Sequence, residues 1–479
     1  MEFHEYLGLQ DRRSFLRQCA SGIGTMALFD LIAGESRRAH ASETTLGARL
    51  PHFAPRAKNV IYLFMAGAPS QVDLLDPKPE MQKLHGQPVP ESFLAGLTDP
   101  VIKNNATVMA SPRTFQKYGQ AGMDFSDFLP WTGTVADELC MIRSMHTNVN
   151  EHHSAQMLMN CGVPVIGHPC MGSWVMYGLG SDCKNMPGFI VLTSNSGKGI
   201  DGGSSNWSNG FLPSEYRGVT FRNGSDPVLY LSNPPGISTE TQRARLDTLR
   251  DLNTMHQTET GDYEIASRIE AYELAFRMQM EAPDLLDFSD ETEETRTLYG
   301  LDQEKTRAFG TNCLLARRMV ERGVRFVQLY HSTWDDHAEL NANLKINCDM
   351  TDKPTAALIT DLRRRGLLDD TLVVWGGEFG RTPMNEVRRG NVAGKEGRDH
   401  HPNAFTMWLA GGGTKAGSIV GATDELGYFI TEDPIHVHDL QATMLHLLGF
   451  DHEKLTYRHQ GRDFRLTDVE GSIVKKLLA

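Results

Sequence analysis

Continuous apolar runs, rather than alternating apolar and polar positions, recur along this chain. A run that is apolar throughout predicts a strand buried on both faces, as in the middle of a parallel sheet. Glycine, proline or polar residues bound most of the runs. The runs cover residues 59–66, 188–193, 324–330, 371–375 and 405–410.

Helical spacing separates several of these runs. Phe309, Cys313, Ala316 and Val320 recur at three- and four-residue intervals, and Gly323 follows them as a helix stop. Residues 354–365 predict another helix, which ends at Gly366. The alternation predicts an α/β fold with a mainly parallel central sheet covered by helices on both faces. Its functional edge should lie at the carboxyl ends of the strands.

One long stretch departs from this alternation. Residues 194–235 are rich in Gly, Ser and Asn and predict a loop excursion. Residues 238–280 are charged and helical in pattern, and the acidic run at 281–294 is most simply a solvated surface. We therefore expect one domain over residues 42–479, with a loop and helical insertion near 194–305.

The amino terminus has the order of features found in a twin-arginine export signal. Arg12 and Arg13 precede a mostly small and apolar run at 19–33, and a small-residue cleavage site follows at 39–41. Polar residues interrupt the run, so it falls short of a membrane-spanning length. We expect residues 1–41 to be the signal and the mature chain, without a transmembrane span, to reach the periplasm or cell envelope. The alternative is an ordinary amphipathic helix.

The charge of the chain restricts its partners, and its cysteines restrict the metal motifs and disulfides that it can form. The formal net charge of −13 argues against nucleic acid, because an acidic surface repels a phosphate backbone. Six of the seven cysteines lie beyond the expected signal, and none has a Cys-x-x-Cys metal spacing. We expect some buried thiols and one or two disulfide-bonded pairs.

Carboxylates and imidazoles follow the run at 324–330. His331, Asp335, Asp336 and His337 offer metal-ligand side chains within seven positions. Asp335 and His337 can reach one ion if the loop turns sharply. Oxygen and imidazole donors at a sheet edge are typical of a divalent metal site.

Two further stretches carry similar side chains. Glu378 follows the run at 371–375, and Arg381 lies three residues later as a candidate anion clamp. His400 and His401 precede the run at 405–410, beside Asp399, a candidate ligand or orienting group. Three such stretches beside strands indicate a metal site more strongly than any one of them does.

These stretches also carry a family resemblance. Together with residues 65–79 and 435–449, the stretches at 332–337, 377–383 and 397–402 resemble the exported DUF1501 family, within the alkaline phosphatase and sulfatase superfamily. The resemblance covers nearly the whole mature chain and implies an alkaline phosphatase-like α/β fold. Fold membership does not by itself define a reaction.

The resemblance implies one metal site more clearly than a second. Asp335, His337 and one of His400 or His401 resemble the ligands of one ion. Glu378 stands where the superfamily usually has aspartate, and Phe379 stands where it usually has histidine. A second site therefore lacks a ligand or is rebuilt. At the first strand, where a metal-binding aspartate is expected, Asp73 is the nearby candidate.

The resemblance gives no standard nucleophile. Residues 148–162 resemble the segment that carries it, and Glu151, His152 or His153 falls at the attacking position. The usual Cys-x-Pro-x-Arg or Ser-x-Pro-x-Arg sequence is absent from this segment. His152 or His153 is then a covalent nucleophile or an additional ligand, or water attacks directly, or catalysis has been lost.

Together these observations predict an exported hydrolase of phosphate or sulfate esters, acting on a small molecule or a glycan. Its cofactor would be a divalent ion, Zn, Ca, Mg or Mn. The alternatives are a non-catalytic envelope or ligand-binding protein and a metal-dependent isomerase or phosphotransferase. The candidate catalytic residues are His152, His153 and Arg381, and the candidate ligands are Asp73, Asp335, His337, Glu378, His400 and His401.

Overall fold

A computed structural model of the protein describes residues 48–479 apart from 95, 97–99, 195–199, 223–232, 234–235, 262–263 and 388–393. Ala48–Ala479 form one compact unit. The segment expected to be the export signal, residues 1–41, lies outside the described residues.

A nine-stranded sheet forms the centre of this unit. The strands are β1 (Asn59–Met65), β2 (Leu139–His146), β3 (Phe189–Thr193), β4 (Val219–Phe221), β5 (Phe326–His331), β6 (Thr371–Gly376), β7 (Phe405–Ala410), β8 (Ser418–Val420) and β9 (Ile435–His436). Eight strands run in the order β8-β2-β7-β6-β1-β5-β3-β4, and β9 pairs with β2. All neighbours are parallel except that β7 is antiparallel to both β2 and β6.

The predicted α/β class with a mainly parallel sheet is confirmed. Strands β5, β6 and β7 are buried along their whole length, as their continuous apolar runs predict. Strand β2 was not predicted, because Arg143 and Ser144 interrupt its apolar residues. Strand β4 was not predicted either, and it lies within the stretch expected to be loop.

Thirteen α-helices of the described residues surround the sheet or extend from it. One of them, Leu340–Arg364, begins earlier than predicted, and Pro354 lies inside it. Leu340, Leu344 and Cys348 recur at four-residue spacing and bury one face, which extends the helix towards its amino terminus. The others are Gln71–Leu74, Pro79–Leu84, Glu91–Leu94, Pro100–Asn105, Pro130–Gly133, His152–Cys161, Met171–Leu179, Thr239–Thr260, Glu264–Leu286, Glu293–Leu298, Glu304–Glu321 and Val437–Leu447.

The register of the parallel strands brings three strand ends together. Met65 of β1 pairs with His331 of β5, and Phe64 pairs with Gly376 of β6. The chain segments that follow β1, β5 and β6 therefore leave the sheet at the same edge. Most of the candidate site residues lie on these segments.

The six cysteines of the described part of the chain are free thiols. All except Cys183 are buried, where a thiol packs as a small apolar side chain. The expectation of one or two disulfide-bonded pairs is therefore wrong for this structure. No helix among the described residues is long and apolar enough to span a membrane.

Candidate metal centre

Four side chains converge beyond the carboxyl ends of the strands. Nε2 of His152, Oδ1 of Asp335, Nε2 of His337 and Nε2 of His400 offer ligand atoms that all lie within 4.8 Å of one another. Asp335 Oδ1 lies 3.2 Å from His152 Nε2, 3.0 Å from His337 Nε2 and 3.4 Å from His400 Nε2. The two nitrogens of His337 and His400 are 3.0 Å apart.

These separations suit ligands of a single ion. Zinc holds nitrogen and oxygen ligands at about 2.0–2.1 Å, which places tetrahedral neighbours roughly 3.3 Å apart. The four distances in this structure, 3.0 to 3.4 Å, bracket that value. The donor atoms also include one carboxylate and three imidazoles, which suits a transition metal ion.

Three different elements supply the four side chains. Asp335 and His337 lie on the loop after β5. His400 lies on a two-stranded ribbon in which residues 400–401 pair antiparallel with Gly380–Arg381. His152 is the first residue of the helix His152–Cys161.

Each imidazole is oriented through its Nδ1 atom. His400 Nδ1 donates to the backbone carbonyl of Asn150 at 2.7 Å. His152 Nδ1 donates to Oε1 of Glu378 at 2.7 Å, and His337 Nδ1 donates to Oε2 of Glu386. Because Nδ1 carries the proton in each ring, the Nε2 lone pairs of the neutral rings point towards the centre. Orienting acceptors of this kind are typical of metal-binding histidines.

Glu378 lies behind His152 and contributes no atom to the group of four. It is completely buried and accepts hydrogen bonds from Gly67 N and Gln156 Nε2, both at 3.0 Å, and from His152. With its oxygens engaged in this way, Glu378 is an orienting residue in this structure. The expectation that it is a direct ligand is corrected accordingly.

Phe379 occupies the neighbouring position within the site. Its ring centroid lies 5.0 Å from that of His152 and 4.7 Å from that of His400. The aromatic ring packs against both imidazoles where the superfamily resemblance expects a ligand. It restricts their rotation without offering a donor atom.

Arg381 does not present a free guanidinium to an anion. It is completely buried, and its donors reach the carbonyls of Gly67, Ala68 and Arg398. Its Nη2 also lies 2.7 Å from Oδ1 of Asp335. The predicted anion clamp is therefore corrected to a buried residue that positions Asp335.

Asp73 is also placed outside the group. Its carboxylate pairs with Arg398, with oxygen to nitrogen distances of 2.7 and 3.2 Å, and accepts a hydrogen bond from Ser70. A fully buried carboxylate with a bidentate arginine partner is satisfied without a metal. The expectation of a ligand at Asp73 is corrected to this structural ion pair.

His401 points away from the group. Adjacent residues of a strand face opposite sides, so the ribbon that directs His400 inwards directs His401 away. Nε2 of His401 lies 2.9 Å from the carbonyl of Tyr428, and burial lowers its pKa to about 4. Of the two predicted histidines, the structure brings only His400 to the centre.

The helix start distinguishes the three candidates for the attacking position. Glu151 is the N-cap, and its carboxylate accepts from the backbone N–H groups of His153 and Ser154 at 3.1 and 3.0 Å. His153 is exposed and belongs to neither group of potential ligands. Only His152 reaches the centre.

The protonation of the group follows from its charges. Burial lowers the pKa of His152, but hydrogen bonds to Asp335 and Glu378 override this effect and raise it to about 9. Burial opposes ionisation of Asp335, but hydrogen bonds from the three imidazoles hold its pKa well below the usual value. Burial lowers the pKa of His400. Burial also lowers the pKa of His337, but hydrogen bonds to Asp335 and Glu386 override this effect and raise it. Without an ion, a proton is therefore favoured on His152 and His337 over His400.

Glu386 was not predicted from the sequence. It is buried, and its backbone N–H donates to the carbonyl of Gly397 at 2.8 Å, which fixes it beside His337. Glu386 and Asp399 form a second close group with His337. No periodicity or motif marks Glu386, because its role depends on a contact across 49 positions.

Fold and site together define an α/β protein with a candidate metal centre at the carboxyl edge of its sheet. A model of one family matches residues 57–478, and the chain belongs to this family, DUF1501, described as a protein of unknown function. No match to a curated protein is found.

Solved structures that resemble the chain include a synthase, a sulfatase and a phosphonate monoester hydrolase. The lipoteichoic acid synthase LtaP from Listeria monocytogenes has 9% identity and a TM-score of 0.37, over 85% of this chain and 76% of that one. A sulfatase from Pseudoalteromonas sp. has 12% identity and a TM-score of 0.33, over 83% and 69%. A phosphonate monoester hydrolase from Silicibacter pomeroyi has 12% identity and a TM-score of 0.34, over 82% and 73%. At these scores we infer no chemistry from them.

Proposed function

We propose that this protein is an exported hydrolase of phosphate or sulfate esters that uses one divalent ion held by Asp335, His337 and His400. The observation that carries the proposal is the convergence of these three donors, 3.0 to 3.4 Å apart. Three protein ligands leave a coordination position open, as in catalytic sites.

The donor set favours zinc or a similar transition ion over calcium or magnesium. Calcium and magnesium take oxygen ligands, whereas two of these three donors are imidazole nitrogens. When bound, such an ion would supply Lewis-acid polarisation of the ester and activation of water.

His152 is the proposed general acid. In the ion-free site its pKa is raised to about 9, so the ring is doubly protonated: Nδ1–H is bonded to Glu378 and Nε2 carries the second proton. From that position it would transfer the Nε2 proton to the leaving-group oxygen. Glu378 would keep the ring in place during the transfer, since it is itself held by Gly67 and Gln156.

The proposed substrate is a small-molecule or glycan ester. The side chains of Asp335 and His400 are 26% and 17% exposed, so the group is open to solvent and to such an ester.

The proposal includes export. The paired arginines at positions 12 and 13 support export by the twin-arginine route to the periplasm or cell envelope.

A second candidate function is a non-catalytic metal-binding protein of the envelope. The observation that favours it is the fourth donor, His152 Nε2, which lies 3.2 Å from Asp335. Four protein ligands complete a tetrahedral shell and make a closed, structural site. The two candidates differ in what His152 does.

Replacing His152 distinguishes the two candidates, and His153 provides a matched control one residue away. We expect His152→Gln to keep its bound ion and lose about 10²- to 10⁴-fold in turnover of aryl phosphate or aryl sulfate. His153→Gln should match wild type in both properties. Metal content by mass spectrometry and initial rates with both ester classes are the measurements.

Two outcomes would contradict the hydrolase proposal. In one, metal-loaded wild type turns over neither ester class. In the other, His152→Gln loses its ion, which would favour the closed four-ligand site.

A further inference from the structure

The helix Thr239–Thr260 carries an exposed apolar stripe. Leu249, Leu252 and Met255 are 43%, 57% and 64% exposed. The helix packs on its neighbour Glu264–Leu286, where Arg243 pairs with Glu273 at 2.6 Å. Arg243 precedes Leu252 by nine residues, two and a half turns, and so lies on the opposite side of the helix. The stripe therefore faces away from the hairpin that the two helices form.

Opposite charges flank the stripe at equal distances. Arg245 lies seven residues before Leu252, and Glu259 lies seven residues after it. Seven residues make about two helical turns, so both charges lie on the same face as Leu252. Both are exposed, and among the described residues neither has an ion-pair partner.

The order of these residues is self-complementary. If a second copy of the helix lies antiparallel with Leu252 on the two-fold axis, Leu249 meets Met255 of the other copy. Arg245 then meets Glu259 of the other copy, and the reciprocal pair forms at the far end. An isologous interface requires this kind of pairing, in which one surface matches itself. Scattered exposed apolar side chains alone would not indicate a partner.

We propose that this face, residues 245–259, is the contact of a homodimer with its two helices antiparallel about Leu252. The stretch is about 21 Å long at the helical rise of 1.5 Å per residue. A single helix pair of this length buries less surface than a standard stable interface. The dimer is therefore weak and concentration-dependent, and its contact residues are distinct from the metal centre.

Sedimentation velocity over a roughly hundredfold range of protein concentration tests the proposal. Wild type should shift from monomer to dimer as concentration rises. Leu252→Glu should stay monomeric, because it places two like charges against each other on the axis. Ile346→Glu, an equally exposed position at 58% on another helix, should behave as wild type.

Charge exchange tests the direction of the helices. Arg245→Glu and Glu259→Arg should each weaken the dimer, and the double variant should restore it, because it exchanges the two partners of each pair. Leu252→Cys should form a covalent dimer under mild oxidation, whereas Ile346→Cys should not. Monomeric wild type at every concentration, a dimer insensitive to Leu252→Glu, or binding of the stripe to anionic lipid vesicles instead of to itself would overturn the proposal.

Discussion

At the residue scale, the candidate centre depends on the residues that orient its histidines. Each of the three imidazoles has an acceptor at Nδ1, and two of these acceptors are the buried carboxylates of Glu378 and Glu386. The direction of the Nε2 atoms is therefore fixed by packing and hydrogen bonds before any ion binds.

Glu386 provides the test of that orientation. We expect Glu386→Gln to lower the affinity for zinc about 10- to 100-fold, because the amide is a weaker acceptor for His337 Nδ1. Competition with a chromophoric chelator measures the change. Glu339→Gln, an exposed glutamate paired with Lys395, is the control and should bind as wild type. Equal affinity in the two variants would contradict an orienting role.

Most residues of the candidate site could be predicted from the sequence. Which of them are direct ligands and which orient the ligands could not. Asp335, His337 and His400 were expected from their positions beside strands, and the structure brings them together. The sequence does not show that Glu378 and Arg381 turn inwards, because that depends on the backbone groups of residues 67–68 lying beside them.

At the element scale, close packing of two loops supports the centre. Gly67 lies two residues after the end of β1 and has a φ of +110°. A Cβ atom at this position would lie 2.6 Å from Asp335 N and 2.8 Å from Trp334 N. The loop that carries Asp335 therefore rests on a position where only glycine fits.

Gly67→Ala should therefore lower the free energy of unfolding by more than the strain of a positive φ, because the added Cβ would also clash with the loop that carries Asp335. Gly366 is the matched control, since it has φ of +68° with nothing within 4 Å of an added Cβ. We expect Gly366→Ala to cost about 1 kcal/mol of unfolding free energy and Gly67→Ala several times more. Urea unfolding measures both, and similar costs would contradict the close approach.

The elements were predictable where their patterns are local. The buried strands β6 and β7 appear as nearly continuous apolar runs, and β5 has one polar residue, Gln328, inside its run. Strand β2 does not stand out, because two adjacent polar residues, Arg143 and Ser144, interrupt it. The start of the helix Leu340–Arg364 was missed because Pro354 resembles a helix start. Tertiary burial of the preceding turns outweighs that signal.

At the scale of the whole molecule, the compact unit buries neutral histidines in its core. His331 and His401 are both fully buried, and burial lowers the pKa of each to about 4. In the unfolded chain each would titrate near 6.5, so below that pH the unfolded state binds more protons than the folded state.

Stability should therefore fall as pH decreases from about 6.5 to about 4, with each histidine contributing about 3 kcal/mol at the acidic end. Urea midpoints of metal-free protein at about pH 7 and about pH 4.5 measure the loss. His401→Gln should reduce it, because one titrating group is removed. An equal loss in wild type and variant would show that His401 is not the source.

The central claim is that this sheet edge holds one divalent ion on Asp335, His337 and His400. The most direct measurement is the metal content of purified protein, loaded with zinc and dialysed, for wild type and His337→Ala. We predict about one ion per chain in wild type and a small fraction of that in the variant. No stoichiometric ion in wild type, or an equal content in folded His337→Ala, would contradict the claim.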